Sequence, residues 1–223
     1  MIIIMKKTFL IASIFTFLGL VSFAQDQDPK AKPILDDLSK TTKAYKTITS
    51  EYVYTIVNKD KKQLEKWTGK VLIKGSKFKL DIPGNKIVCD SKTIWAHNKD
   101  AGEVTIKTFD SNNEDQLNPT KIFTMYETGY KYKYDKEEKV GVNTFHVITL
   151  YPSVKPEKKK FHTVKLYIDK AKKQIAQVVM LMKDGSTQTY EIKSFKANVE
   201  IADAVFTFDL KPFKADQIID ERD

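Results

Sequence analysis

Lys77–Asn98 reads KFKLDIPGNKIVCDSKTIWAHN, and its opening places Phe78, Leu80 and Ile82 in alternation with Lys77, Lys79 and Asp81. A period of two describes a strand with one apolar and one wet face. The turn sequences PGN (83–85) and DSK (90–92) punctuate the run, and KIVCD and KTIWAHN resume the same short rhythm. Strands separated by turns this brief pair antiparallel with their sequence neighbours.

The pattern extends in both directions. Upstream, WTGKVLIKG (67–75) sets Trp67, Gly69, Val71 and Ile73 on one face, and TSEYVYTIV (49–57) does the same with Tyr52, Tyr54 and Ile56. Downstream come EVTIKTF, YKYKYD, VNTFHVITLY, FHTVKLYID, QIAQVVMLM and QTYEIKSFK, with a hairpin signal at Asp184-Gly185. About eleven strands are too many for one flat sheet. The expected fold is therefore mainly β within the α+β class: a single incomplete, strongly curled antiparallel β-barrel.

Two segments break the period. In ILDDLSKTTKAYKTI (34–48), Ile34, Leu38, Tyr45 and Ile48 fall near helical spacing. In NPTKIFTMYETG (118–129), Asn118 suits an N-cap, Pro119 the first helical position and Gly129 the exit. Ile122, Phe123, Met125 and Tyr126 give this second segment a strongly apolar stripe. Both are read as helices, forming an α-helical lid over the sheet.

The first 24 residues are set apart from the fold. Lys6 and Lys7 precede an apolar run from Thr8 to Val21, and VSFA ends in small residues, the pattern of a cleaved secretory signal. The mature domain is then expected at 25–223, exported and held without an internal disulfide, because Cys89 is the only cysteine. Losing Lys6 and Lys7 takes the formal charge from +9 to +7. On an exported chain such a basic surface either serves solubility alone or meets anionic lipid headgroups or acidic protein surfaces rather than nucleic acid.

Catalytic patterns are sparse. His97, His146 and His162 lie on separate strands without ligand-spaced partners, so no metal is expected, and no cofactor-binding glycine loop is present. Hydrolysis by Ser91 or Ser76 with His97 stays open as an alternative, but the chain is expected not to be an enzyme. What it offers is apolar surface: a concave face carrying Trp67, Val71, Ile73, Phe78, Leu80 and Trp95, covered by the two helices. Such an arrangement could pack solid or hold a ligand-sized cavity.

WTGKVLIKGSKFKLDI (67–82), KIVCDSKTIWAHNKDAGEVTIKTFD (86–110), NPTKIFTMYETG (118–129) and ADAVFTFDLKPFKADQIIDER (202–222), in that order, resemble the LolA family of periplasmic outer-membrane lipoprotein carriers. DSKTIW (90–95) is similar to that family's Asp-Gly-Lys-Thr-Leu-Trp stretch. The resemblance implies a monomeric periplasmic carrier that shelters the acyl chains of lipoproteins. Its partners would be an inner-membrane release complex, docked through lysine-rich edges, and an outer-membrane acceptor. The acyl cavity and lid would then comprise Ile34, Leu38, Trp67, Val71, Ile73, Phe78, Leu80, Trp95, Ile122, Phe123, Met125 and Tyr126. The family's lid-latching Arg falls on Gly75 here, leaving Lys74 and Lys77 as latch candidates. A module of the same fold that senses another amphiphile or a regulatory partner is the alternative.

Overall fold

The computed structural model describes residues 27–113 and 118–222. The expected export signal at 1–24 lies outside the described residues. Twelve strands form one sheet: β1 (Thr47–Val57), β2 (Gln63–Lys74), β3 (Lys77–Ile82), β4 (Asn85–Cys89), β5 (Thr93–Asn98), β6 (Glu103–Thr108), β7 (Tyr130–Val140), β8 (Asn143–Pro152), β9 (Phe161–Asp169), β10 (Gln174–Met182), β11 (Thr187–Ala197) and β12 (Ile218–Asp220). Their order is β12-β6-β5-β4-β3-β2-β1-β11-β10-β9-β8-β7. The edge strands β7 and β12 do not pair, so the sheet curls without closing.

This order resolves into two antiparallel meanders, β1 to β6 and β7 to β11, zipped together where β1 pairs with β11 from Ile48↔Ala197 to Val57↔Thr187. The register slips between Glu51 and Tyr52 on this seam, and again between β7 and β8 at Tyr134/Lys136. Such bulges raise the local twist, which bends a wide sheet toward a barrel.

Alternation along each strand creates two faces. Reading across the registers, Ile48, Ile73, Phe78, Cys89 and Ile94 share the concave face. On the other side of the seam, Tyr190, Val178, Leu166 and Ile148 belong to the same face. These residues form one contiguous cluster with the buried side of α1 (Ala31–Lys43).

The helix begins where Asp28 accepts hydrogen bonds from the backbone N–H of Lys30 (2.7 Å) and Ala31 (3.4 Å). Pro33 is harmless in the first turn, where N–H groups have no helical partner. Leu35 and Leu38 are buried, and Tyr45 beyond the helix takes a hydrogen bond from Gln174 Nε2 at 3.0 Å. The helix ends at Lys43, earlier than the pattern of 34–48 predicts, because Thr47 and Ile48 are already paired in β1.

The second expected helix is corrected. Pro119–Phe123 and Met125–Glu127 are two short 3-10 turns, separated at Thr124 (φ −132°, ψ −1°). Asn118 does cap the start, its side chain accepting from Thr120 N–H at 3.1 Å. A stretch this short cannot recover the cost of helix nucleation, and two threonines further disfavour it. The lid is thus half α-helix and half 3-10.

Beyond β11 the chain crosses the convex face. Phe206 is fully buried in the 3-10 turn Asp203–Phe206 that packs beside β3, Phe208 stacks on Trp95 with ring centroids 6.4 Å apart, and Phe213 meets His97 edge-on at 5.0 Å. The segment finishes as β12, parallel to β6.

Asp28 also accepts from Tyr134 N–H at 2.9 Å, tying the start of α1 to β7. The Tyr134 and Lys30 amides hold its carboxyl below the usual carboxylate range. A depressed folded pKa contributes stability that is complete above the unfolded value and lost as pH falls through the folded one. Asp28→Ala should therefore destabilise the protein by about 1–2 kcal/mol at neutral pH. The difference from wild type should shrink once the pH drops below about 3.9. Urea denaturation across that range measures both.

Candidate functional site

The concave face carries the apolar surface on which a site would be built. Val71, Ile73, Phe78, Leu80, Leu38 and Tyr126 are buried in its cluster, with Trp67 and Ile34 partly buried against it. The side chains of Ile122, Phe123 and Met125 lie outside the described residues, although their backbone runs in the lid turns.

Trp95 departs from the expectation. It pairs with Val88 and Ile106, one step out of phase with the concave Cys89 and Ile94, and so projects from the convex face onto Phe208. Both faces of β5 are apolar because a core lies on each side, so alternation alone could not choose between Ile94 and Trp95. The Phe-rich segment 206–213 is the available signal, since it needs an apolar partner.

Lys74 and Lys77 are not lid latches. They too face the convex side, where their Nζ atoms reach Asp203 at 2.6 and 3.0 Å, and Lys74 also donates to the Ile201 carbonyl at 2.9 Å. They clamp the C-terminal segment to the sheet. The cause is again parity: Ile73 and Phe78 point inward, so their neighbours point outward.

The lid is fastened from its other end. Glu127 accepts from Ser39 Oγ and pairs with Lys43 Nζ at 2.8 Å, joining the second 3-10 turn to α1. Burial pushes the Glu127 carboxyl up, but the hydrogen bonds from Lys43 and Ser39 outweigh it and hold the group below its usual range. With Lys43 well exposed, this pair is worth no more than about 1 kcal/mol.

Beside it, the Tyr126 hydroxyl is buried with no hydrogen-bond partner among the described residues. Burial raises the pKa of this phenol, keeping it neutral. An unsatisfied buried hydroxyl costs about 1–3 kcal/mol.

Where the resemblance expects the latch Arg, Gly75 (φ +58°) forms the β2–β3 turn, a conformation that suits glycine. A side chain there would meet nothing within 4 Å. It borders a cleft of about 140 Å³ lined by Thr42, Tyr45, Ile48, Ile73 and, from the lid, Thr120 and Thr124. Ligand pockets begin at roughly 300 Å³, so this cleft is a seam under the lid and not a full binding cavity.

Toward the opposite end of the concave face lies an aromatic cluster of which the sequence reading assigns only Trp67 to the site. Tyr54 packs on Trp67 and Tyr190 with centroids 4.5 and 4.8 Å apart, and Tyr52 touches both at 6.1 and 6.0 Å. Tyr52 lies over Gly69, where an added Cβ would come within 2.6 Å of its ring. Tyr52 and Tyr54 are legible as same-face aromatics, but Tyr190 joins them only through the β1–β11 seam, which no local pattern reveals.

Two of the other candidate groups, Cys89 and His97, are engaged in packing. Burial pushes the Cys89 thiol up to about 11, leaving it protonated, and the partly buried His97 meets the Phe208 and Phe213 rings edge-on. Among the described residues, no three His, Cys, Asp or Glu side chains gather as metal ligands would.

Comparison with known proteins places this geometry. The family described as "Outer membrane lipoprotein carrier protein LolA" matches residues 43–209. A crystal structure of an uncharacterized conserved protein from Thermus thermophilus superposes with a TM-score of 0.57 at 15% identity, covering 87% of this chain and 99% of that one. LprF from Mycobacterium bovis gives 0.50 at 14%, covering 79% and 97%. A curated relative, an uncharacterized protein of Methanocaldococcus jannaschii, is 24% identical over 92% of this chain, and the match spans 58% of its own length.

Replacing Tyr126 by Phe removes only the orphaned hydroxyl, so the variant should unfold at equal or higher denaturant, by up to about 2 kcal/mol. Glu127→Ala should instead speed amide hydrogen exchange across 120–127 while leaving the sheet strands protected. Global acceleration would show that the latch holds the fold and not the lid.

Proposed function

Because the chain belongs to the outer membrane lipoprotein carrier protein LolA family, we propose that it is a periplasmic, non-catalytic carrier. On this reading it shields the acyl chains of lipoproteins against its concave face and ferries them from the inner to the outer membrane. Its partners would be acylated lipoproteins, an inner-membrane release complex and an outer-membrane acceptor. The observation that carries the reading is a continuous apolar face under a cover joined to α1 by the contacts of Glu127 with Lys43 and Ser39.

The energetics fit a movable cover. Exposing a 16-carbon acyl chain to water costs on the order of 12 kcal/mol, at roughly 0.8 kcal/mol per CH₂. A carrier has to offset most of that and still let go. Among the described residues, the cleft bordered by Thr120 and Thr124 of the lid measures about 140 Å³, less than such a chain needs. On this reading cargo enters as the 118–127 segment lifts from α1, trading the lid's own contacts for those of the cargo. A rigid pre-formed pocket would bind as well but release poorly.

The two tryptophans provide an internal test, since Trp67 belongs to the concave cluster and Trp95 to the convex face. A bromine-labelled acyl chain should quench the fluorescence of the Trp95→Phe variant, in which Trp67 reports alone. It should leave Trp67→Phe unquenched. Equal quenching of both, or of neither, would remove the concave face as the binding surface. Phe123→Glu, which puts a carboxylate on the lid, should abolish quenching without unfolding the sheet. Mass spectrometry of material co-purified from the periplasm should then find triacylated protein; free lipid alone would favour a sensing module.

A further inference from the structure

We propose that the end of the barrel farthest from the α1–β1 junction is a docking rim for an anionic lipid surface. Three hairpin loops meet there. The β1–β2 loop touches the β10–β11 turn, where a Cβ on Gly185 would lie 3.3 Å from Lys59. The β10–β11 turn in turn joins the β8–β9 loop, Lys183 N–H donating to the Lys160 carbonyl at 2.9 Å and its Nζ to the carbonyls of Pro156 and Glu157. Residues 58–62, 153–160 and 183–186 are thus one continuous surface.

Its charge is lopsided. These loops hold eight lysines against three carboxylates, Asp60, Glu157 and Asp184. Elsewhere lysines are commonly paired, as in Lys74 and Lys77 with Asp203, Lys170 with Glu137 and Lys173 with Asp37. On the rim, Lys59, Lys61, Lys62, Lys155, Lys158 and Lys160 are exposed and make no salt bridge among the described residues. Gathering so many ammonium groups with so few counter-charges works against the isolated protein and favours an anionic partner.

Two further features select lipid over an acidic protein face. Leu64 and Val154 stand 58% and 52% exposed at this same end, apolar side chains among lysines, the combination suited to a headgroup boundary. The cations are all lysine, and the chain's sole arginine, Arg222, lies elsewhere. Lysine offers a mobile point charge that suits shifting headgroups, whereas fixed carboxylates are better read by the guanidinium fork. Docked in this way, the rim would present the Tyr54, Trp67 and Tyr190 end of the concave face to the membrane, so that an acyl chain could pass without crossing bulk water.

The test is co-sedimentation of the purified protein with phosphatidylcholine vesicles, with and without about a third of phosphatidylglycerol. Binding should require the anionic lipid and weaken with salt. Each lysine removed should cost roughly fivefold in affinity at low salt, so the triple variant Lys62→Gln, Lys158→Gln, Lys160→Gln should bind about a hundredfold more weakly. Leu64→Ser with Val154→Ser should weaken the residual binding at high salt. Equal binding to neutral vesicles, an unaffected triple variant, or rim-dependent association with an acidic protein but not with vesicles would each overturn the proposal. Without vesicles, quenching of Trp67 by the bromine-labelled acyl chain in the triple variant carrying Trp95→Phe should stay at the level of Trp95→Phe alone, which separates loss of docking from loss of cargo binding.

Discussion

The β1–β11 seam is the pairing on which the architecture depends. Each meander alone is a sheet of five or six strands built from local hairpins, with an apolar face that nothing else in that meander covers. Zipping Ile48–Val57 against Thr187–Ala197 makes the two faces continuous, and the bulge within the seam turns the joined sheet inward. Closing a loop of this length is entropically costly but grows only slowly with length, so a long, well-registered ladder can offset it. The Tyr52, Tyr54, Trp67 and Tyr190 rings straddle that ladder, adding aromatic contacts where the two halves meet.

Once the sheet bends, its two faces acquire different roles. The concave side is roofed by α1 and the 3-10 turns, which contribute Leu35, Leu38 and Tyr126. The convex side of β3 to β6 would expose Val88, Trp95, Val104 and Ile106 were it not for the C-terminal segment, fixed by Phe206 and Phe208 and by Lys74 and Lys77 through Asp203. Covering β6 with the short parallel β12 also withdraws a bare edge from solvent. The opposite edge is partly protected in the same manner, Gln27 bridging to Tyr132 ahead of the helix.

Much of this is legible in the residues, and the exceptions share a cause. Alternation at Phe78, Leu80 and Ile82 identifies strands and their inward face because the intervening residues are charged. It fails at Trp95 because β5 packs on both sides, and periodicity assigns a face only when the other is polar. Resemblance alone assigns Lys74 and Lys77 to the lid, although their parity relative to Ile73 and Phe78 already points them the other way. For the lid, composition indicates the cap and the apolar stripe correctly, but segment length decides between α and 3-10, and the short run of 119–127 favours the tighter turn. The Tyr190 contacts and the lysine rim are hidden for a different reason: both arise between segments far apart in sequence, and only the strand order brings them together.

That strand order also makes the two ends of the barrel physically unlike. Near the start of β1 the roof is down, and Ile48, Ile73 and Phe78 are each at most 5% exposed. Toward the far ends of the same strands, Ile56, Trp67, Met180 and Tyr190 are only partly buried, ringed by loops whose lysines keep that end soluble. Apolar surface left half-open would normally favour aggregation, and unpaired like charges around it oppose self-association by repulsion. Such repulsion disfavours contact between copies and, on the docking proposal, leaves that end free for an oppositely charged surface. Such a bias follows from where the charges sit, and it holds whatever apolar group the concave face accepts.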